Sequence, residues 1–131
     1  MITAYATEKP IDYLTLYRTF IEQDDDRSGT VVIHHGMVKR PGKQIADFTA
    51  VELKAMKTDV DRHLVELANG IAEQYALNQL LLVHRIGRIG PRDSVLLVIA
   101  SGTTRDRCFA ACSSLVDMIK QEEIIRLIEH Q

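Results

Sequence analysis

Residues 79–100 read QLLLVHRIGRIGPRDSVLLVIA. Two apolar runs, QLLLVHRI (79–86) and SVLLVIA (94–100), are joined by GRIGPRD. That connection is too short for a crossover helix, so the runs are predicted to be antiparallel neighbours. Each run is apolar at odd and even positions alike, which places both in the middle of a sheet. Immediately upstream, Val60, Leu64, Leu67, Ile71 and Tyr75 recur at helical spacing, with Thr58 or Asp59 as N-cap. Immediately downstream, CFAACSSLVDMIK (108–120) predicts a helix that turns Phe109, Cys112, Val116 and Ile119 inward. Farther out, GTVVIHHG (29–36) and QIADFTAVEL (44–53) read as strands, separated by a Pro-Gly loop, VKRPGK. Residues 2–6 form a short first strand. Pro10 then opens a helix with Ile11, Leu14, Tyr17 and Ile21 on one face. The tail EIIRLIEHQ is a short apolar strand or a helical turn. Helices packed on a mostly antiparallel sheet make an α+β fold, and residues 1–131 make a single domain.

Bulk properties exclude several classes. A 46% hydrophobic content and a mean hydropathy of -0.06 suit a globular chain. The longest apolar runs are far short of a membrane span, and MITAYATEKP lacks the pattern of a secretory signal. A net charge of -2 argues against nucleic acid as a partner. Cys108 and Cys112 lie four apart on one helix face and read as small buried groups in a reducing cytoplasm. No His or Asp at ligand spacing accompanies them, so no metal is expected.

Charge is uneven along the chain. Asp24, Asp25 and Asp26 make an acidic turn, while Lys39, Arg40 and Lys43 make a basic loop. The stretch SGTTRDR (101–107) stands where a strand hands over to a helix. Free backbone N–H groups, the helix dipole and the planar fork of Arg105 together suit an anion. A helix start capped by Thr103 or Thr104, its arginines in water, is the simpler reading of this motif alone. His84 at the end of a buried strand reads as a backbone-bonded histidine. His34 and His35 point to opposite faces of their strand. Lys120 suits a helix C-terminus, or serves as nucleophile or acid where burial or charge perturbs it. On one straight helix Arg105 and Lys120 lie about 22 Å apart, too far to touch one small substrate. A site using both is most simply built across the interface of a symmetric homodimer.

The succession HRIG, apolar strand, S-x-x-x-R, C-F-x-A and D-x-I-K resembles the large, catalytic subunits of molybdopterin synthase. DDDRSGTVVIHHGMVKR and VELKAM, followed by a long helix, resemble the upstream part of that family, so the likeness covers roughly residues 24–120. The resemblance implies an α/β-hammerhead-like α+β fold and a homodimer. Each copy is expected to bind a ubiquitin-like small subunit whose C-terminal Gly-Gly ends as a thiocarboxylate. Sulfur would pass to cyclic pyranopterin monophosphate, a substrate, with no cofactor held by the protein itself. Matched to the family's motifs, Lys120 is the catalytic lysine, and Arg105 holds the pterin phosphate. Lys39 falls where the family has an arginine, and Arg40 follows it. Thr104 stands where the family has a histidine. The family's P-hydrophobic-W-K-x-E is absent, which leaves Arg126 one position before its second lysine. These departures frame an alternative, a non-catalytic relative that keeps the dimer and binds a ubiquitin-like tail or an anion.

Overall fold

The computed structural model describes all 131 residues. The expected central pair forms as β4 (Gln79–Arg85) and β6 (Ser94–Gly102), antiparallel, with Leu81 opposite Ile99. Both are flanked on either side, giving the order β1–β4–β6–β2 with β1 (Ile2–Thr7) and β2 (Thr30–Met37) outermost. The β1–β4 pairing is parallel. Instead of one sheet there are two. A second, three-stranded antiparallel sheet runs β5–β3–β7, from β5 (Gly87–Ile89), β3 (Ala50–Ala55) and β7 (Ile125–His130). The connection GRIGPRD is therefore more than a turn. Gly87, at φ +99°, takes a backbone shape that side chains resist, and there the chain leaves the first sheet for the second.

Helices α2 (Val60–Gln74) and α3 (Arg105–Ile119) cover one face of the first sheet, and α1 (Tyr13–Gln23) covers the other. The main core unites Leu64, Ala68 and Ile71 of α2 with Leu80, Leu82, Val98 and Leu115. Leu82 has no exposed surface, so Leu82→Ala is expected to cost about 2–5 kcal/mol, read as a lowered urea midpoint at unchanged slope. No helix is long and apolar enough to cross a membrane.

Four local expectations need correction. The first helix starts at Tyr13 rather than Pro10, because the Asp12 carboxylate accepts the Thr15 N–H at 3.2 Å and caps it there. Its inward stripe is Leu16 and Phe20, packed with Ile11, whereas Leu14 is 69% exposed and Tyr17 and Ile21 face outward. Two stripes of helical spacing were available, and the sheet beneath selects one. On α3, Phe109 is 60% exposed, since the buried stripe Cys108, Ala111, Cys112, Leu115 and Val116 leaves it on the flank. Residues 44–49 are not strand: β3 begins at Ala50, and the preceding segment is held by a carboxylate described below. The tail resolves as β7, paired along the whole of β3.

Candidate functional site

A cavity of about 380 Å³ opens between the two sheets, closed on its third side by the C-terminal end of α3. Strand alternation builds its walls. Even-numbered positions of β2 bring His34 and Gly36 inward, while His35 turns to the other face, where its ring lies 4.7 Å from that of Tyr13 at a tilt of 43°. The two histidines thus part as expected. Alternate positions of β3 and β7 contribute Val51, Leu53, Ile125, Leu127 and Glu129. The loop after β2 supplies Lys39 and Lys43, and the end of α3 supplies Lys120.

The cavity's electrostatics follow from which charges are already engaged. Glu129 is 9% exposed and accepts the backbone N–H groups of Ile45, Gln44 and Lys43 at 2.6, 2.7 and 3.0 Å. These bonds, that from Ile45 foremost, hold its carboxyl below the usual glutamate range. Glu122 is spent on the Leu127 N–H at 2.6 Å. Lys39, Lys43 and Lys120 form no salt bridge. Three lysines against two hydrogen-bonded carboxylates, one of them Glu129 in the field of Lys39, leave the lining net positive, which favours an anion. His34 adds no charge near neutrality, because burial, then Lys120, then His35 push its pKa down. His84 is also driven toward the neutral form by burial, against the opposing pull of its hydrogen bond. Its Nδ1–H donates to the Arg85 carbonyl at 2.8 Å, as the sequence suggested, yet the ring also lines the cavity.

The remaining site residues separate. Arg40 does not line the cavity; its Nε donates to the Phe48 carbonyl at 2.9 Å, and its guanidinium lies over the Phe48 ring at 5.5 Å. It braces the loop that carries Lys39. Arg126 lies between the inward positions Ile125 and Leu127, so alternation turns it to the opposite face of β7. Thr104 occupies the N-cap position of α3 without a side-chain capping bond, and Arg105 opens the helix; both are exposed, at the end remote from Lys120. No group of three or more His, Cys, Asp or Glu is arranged to hold a metal, and both cysteines are free and buried. Glu129 escaped the sequence reading, although a lone acid on the apolar face of an alternating strand was the available signal.

Two sheets, with helices on both faces of the first and a cleft lined by three lysines at their junction, define an α+β protein of the hammerhead type. The chain belongs to the MoaE protein family, whose model matches residues 6–122. It is 32% identical over 81 residues to the molybdopterin synthase catalytic subunit of Caulobacter vibrioides, covering 62% of this chain and 54% of that one. It is 27% identical over 123 residues to the subunit of that name from Thermoplasma volcanium, covering 92% and 87%. The alignments thus span about half the length of the Caulobacter relative and most of the Thermoplasma one. Among solved structures, molybdopterin synthase from Staphylococcus aureus superposes with a TM-score of 0.77 at 22% identity, over 98% of this chain and 88% of that chain. A complex of subunits 1 and 2 of the molybdopterin-converting factor from Helicobacter pylori gives 0.75 at 12% identity, over 98% and 83%. These last two likenesses concern the fold.

Proposed function

We propose that this chain catalyses the sulfur-transfer step that makes molybdopterin. Sulfur passes from the thiocarboxylated C-terminus of a ubiquitin-like small subunit to cyclic pyranopterin monophosphate. The observation that carries this reading is the cavity in which Lys120 and Lys39 stand free of ion pairs beside an apolar wall. An extended Gly-Gly tail has no side chains, so a narrow apolar channel can seat it, and the cations take its terminal charge. The two-subunit Helicobacter pylori relative supports a small-subunit partner.

Lys120 is the catalytic residue. Once the sulfur has bonded to the pterin carbon, water adds to the acyl carbon; the Lys120 ammonium stabilises the negative charge that develops on the acyl oxygen, and the carbon–sulfur bond breaks to leave the sulfur on the pterin and a carboxylate on the small subunit. Lys39 steadies the anionic end of the incoming group. Arg105, about 22 Å from Lys120 along its own helix, binds the pterin phosphate at a site completed by a second copy, with Thr104 beside it. The substrate is not a resident cofactor, and no bound group is required for these roles.

The test is turnover of the purified chain with a thiocarboxylated small subunit and cyclic pyranopterin monophosphate. Product containing the dithiolene is expected; its absence under conditions where a known synthase turns over would remove the reading. In the same assay Arg105→Ala is expected to raise the KM for the pterin at least about tenfold, one lost charge-assisted phosphate contact. Binding of the small subunit should be unaffected.

A further inference from the structure

Helix α3 keeps pace with β2. Cys108 Sγ lies 3.9 Å from the Thr30 carbonyl and Cys112 Sγ 4.0 Å from the Val32 carbonyl, so four helical residues advance as far as two strand residues. The rises agree, about 6 Å for the helix and about 6.6 Å for the strand. The same step carried on twice sets Val116 beside His34 and Lys120 beside Gly36. His34 and Gly36 share the inward face of β2, and both line the cavity with Lys120. The His34 ring leans along the strand toward that end: its Nε2 stands 3.4 Å from where a Cβ on Gly36 would be. Glycine leaves that space open, so one edge of the imidazole points into the cavity next to the lysine.

The ring is also unclaimed. His35 is bonded to Ser94 Oγ at 2.6 Å and His84 to the Arg85 carbonyl at 2.8 Å, whereas neither nitrogen of His34 has a partner in the protein. His130 holds the only unpartnered ring nitrogen that is sealed from solvent, so those of His34 open to the cavity. The competing proton acceptors are placed or occupied differently. Glu122 and Glu129 already accept backbone N–H groups. His84 is 4% exposed and lies in the row Gly36–Leu96–His84, two strands and about 10 Å from Gly36.

We propose that His34 is the general base for the hydrolytic half of the reaction, its Nε2 taking a proton from the water that adds to the acyl carbon beside Lys120. This role rests on the sulfur transfer proposed above. The water oxygen bonds to the acyl carbon, one water proton moves to Nε2, and the Lys120 ammonium faces the oxyanion. The carbon–sulfur bond then breaks. Its electron pair leaves with sulfur, which takes the proton back from His34, and the carboxylic acid left on the small subunit loses its own proton to bulk water. A base must be neutral at the working pH, and the surroundings arrange this. Lys120 from α3, Lys39 and Lys43 from the loop, His84 from β4 and the two engaged acids share the cavity with His34, while β3 and β6 present only apolar side chains there. Burial, then Lys120, then His35 hold the ring below its ordinary value of 6.5.

Single turnover with a thiocarboxylated small subunit and cyclic pyranopterin monophosphate tests the role. His34→Phe keeps a flat ring and removes both nitrogens; His34→Gln keeps polarity without basicity. Each is expected to slow release of the small subunit at least about 10²-fold, the scale of one general base. The covalent subunit–pterin adduct should still form and should accumulate, as mass spectrometry would show. Wild-type release should decline as pH falls below 6.5, and both variants should lose that acid limb. Release at the wild-type rate with the acid limb intact in either variant overturns the role and leaves the sulfur transfer standing. Hydrolysis of a synthetic peptide ending in a Gly-Gly thioester, with no pterin present, separates the two readings. A wild-type chain that makes no dithiolene yet hydrolyses this thioester, with both variants slow, supports the base and removes only the pterin reading. A wild-type chain inactive in both assays overturns both.

Discussion

Replacing Lys120 by alanine is expected to lower sulfur transfer by about 10²–10³-fold while the fold is kept, the scale for removing one preorganised charge at a developing anion. The two effects separate because of where the residue sits. Lys120 is exposed at the C-cap of α3, its backbone N–H closes the helix on the Val116 carbonyl at 2.9 Å, and its side chain makes no salt bridge. Alanine keeps the backbone bond and forfeits only the favourable cation at a helix C-terminus, about 1 kcal/mol or less. Urea unfolding should therefore change little while turnover nearly vanishes. Lys120→Arg keeps the charge but spreads it over a broader fork, and is expected to fall between the two. An alanine variant that turned over at the wild-type rate would sink the proposed role.

The parts legible in the sequence were those in which local chemistry and tertiary environment agree. The pair β4 and β6 is apolar on both faces and joined by a short link, so its pairing and central place admit one solution. The stripe read on α2 is equally unambiguous: Leu64 and Ile71 are buried, and Val60, Leu67 and Tyr75 pack against the core half-buried. Where two stripes compete, periodicity cannot choose. On α1 the pairs Tyr17/Ile21 and Leu16/Phe20 have the same spacing, and only the position of the sheet decides. Phe109 misleads for a related reason: its size suggests the core, but the two cysteines beside it fit the closer approach of α3 to β2. The site divides in the same way. Lys39 and Lys120 carry charge at loop and helix ends, and such residues can be singled out from sequence. Arg126 was placed by counting along a strand whose faces were not yet assigned, so a single position moved it out of the cavity. Glu129 and Gln44 act on backbone groups more than 80 residues away, so that while an acid on an apolar strand face stands out locally, its partners do not.

That long-range partnership underlies the second large effect. Glu129→Ala is expected to release the loop from Lys39 to Ile45 and with it the basic wall of the cavity. The carboxylate is the acceptor for three successive N–H groups, and the chain passes so near that a Cβ on Gly42 would collide with the Glu129 carboxylate and the Ile45 carbonyl. Alanine leaves all three donors without a partner, and Glu129→Gln sets an amide donor against donors. Amide exchange at Lys43, Gln44 and Ile45 should accelerate in both variants, the melting temperature should fall by roughly 5 °C or more, and sulfur transfer should lose affinity for substrate more than rate. The pH dependence has a definite sign. Because the folded carboxyl is held below its ordinary value of 4.5, the unfolded chain binds a proton more readily. The stabilisation is therefore complete above that value and declines as pH falls through it toward the lower folded value. The stability gap between wild type and Glu129→Gln should accordingly be widest near neutrality and shrink below pH 4.5. Unchanged exchange at the three amides, or a gap that widens on acidification, would show that the loop is held by something other than this carboxylate.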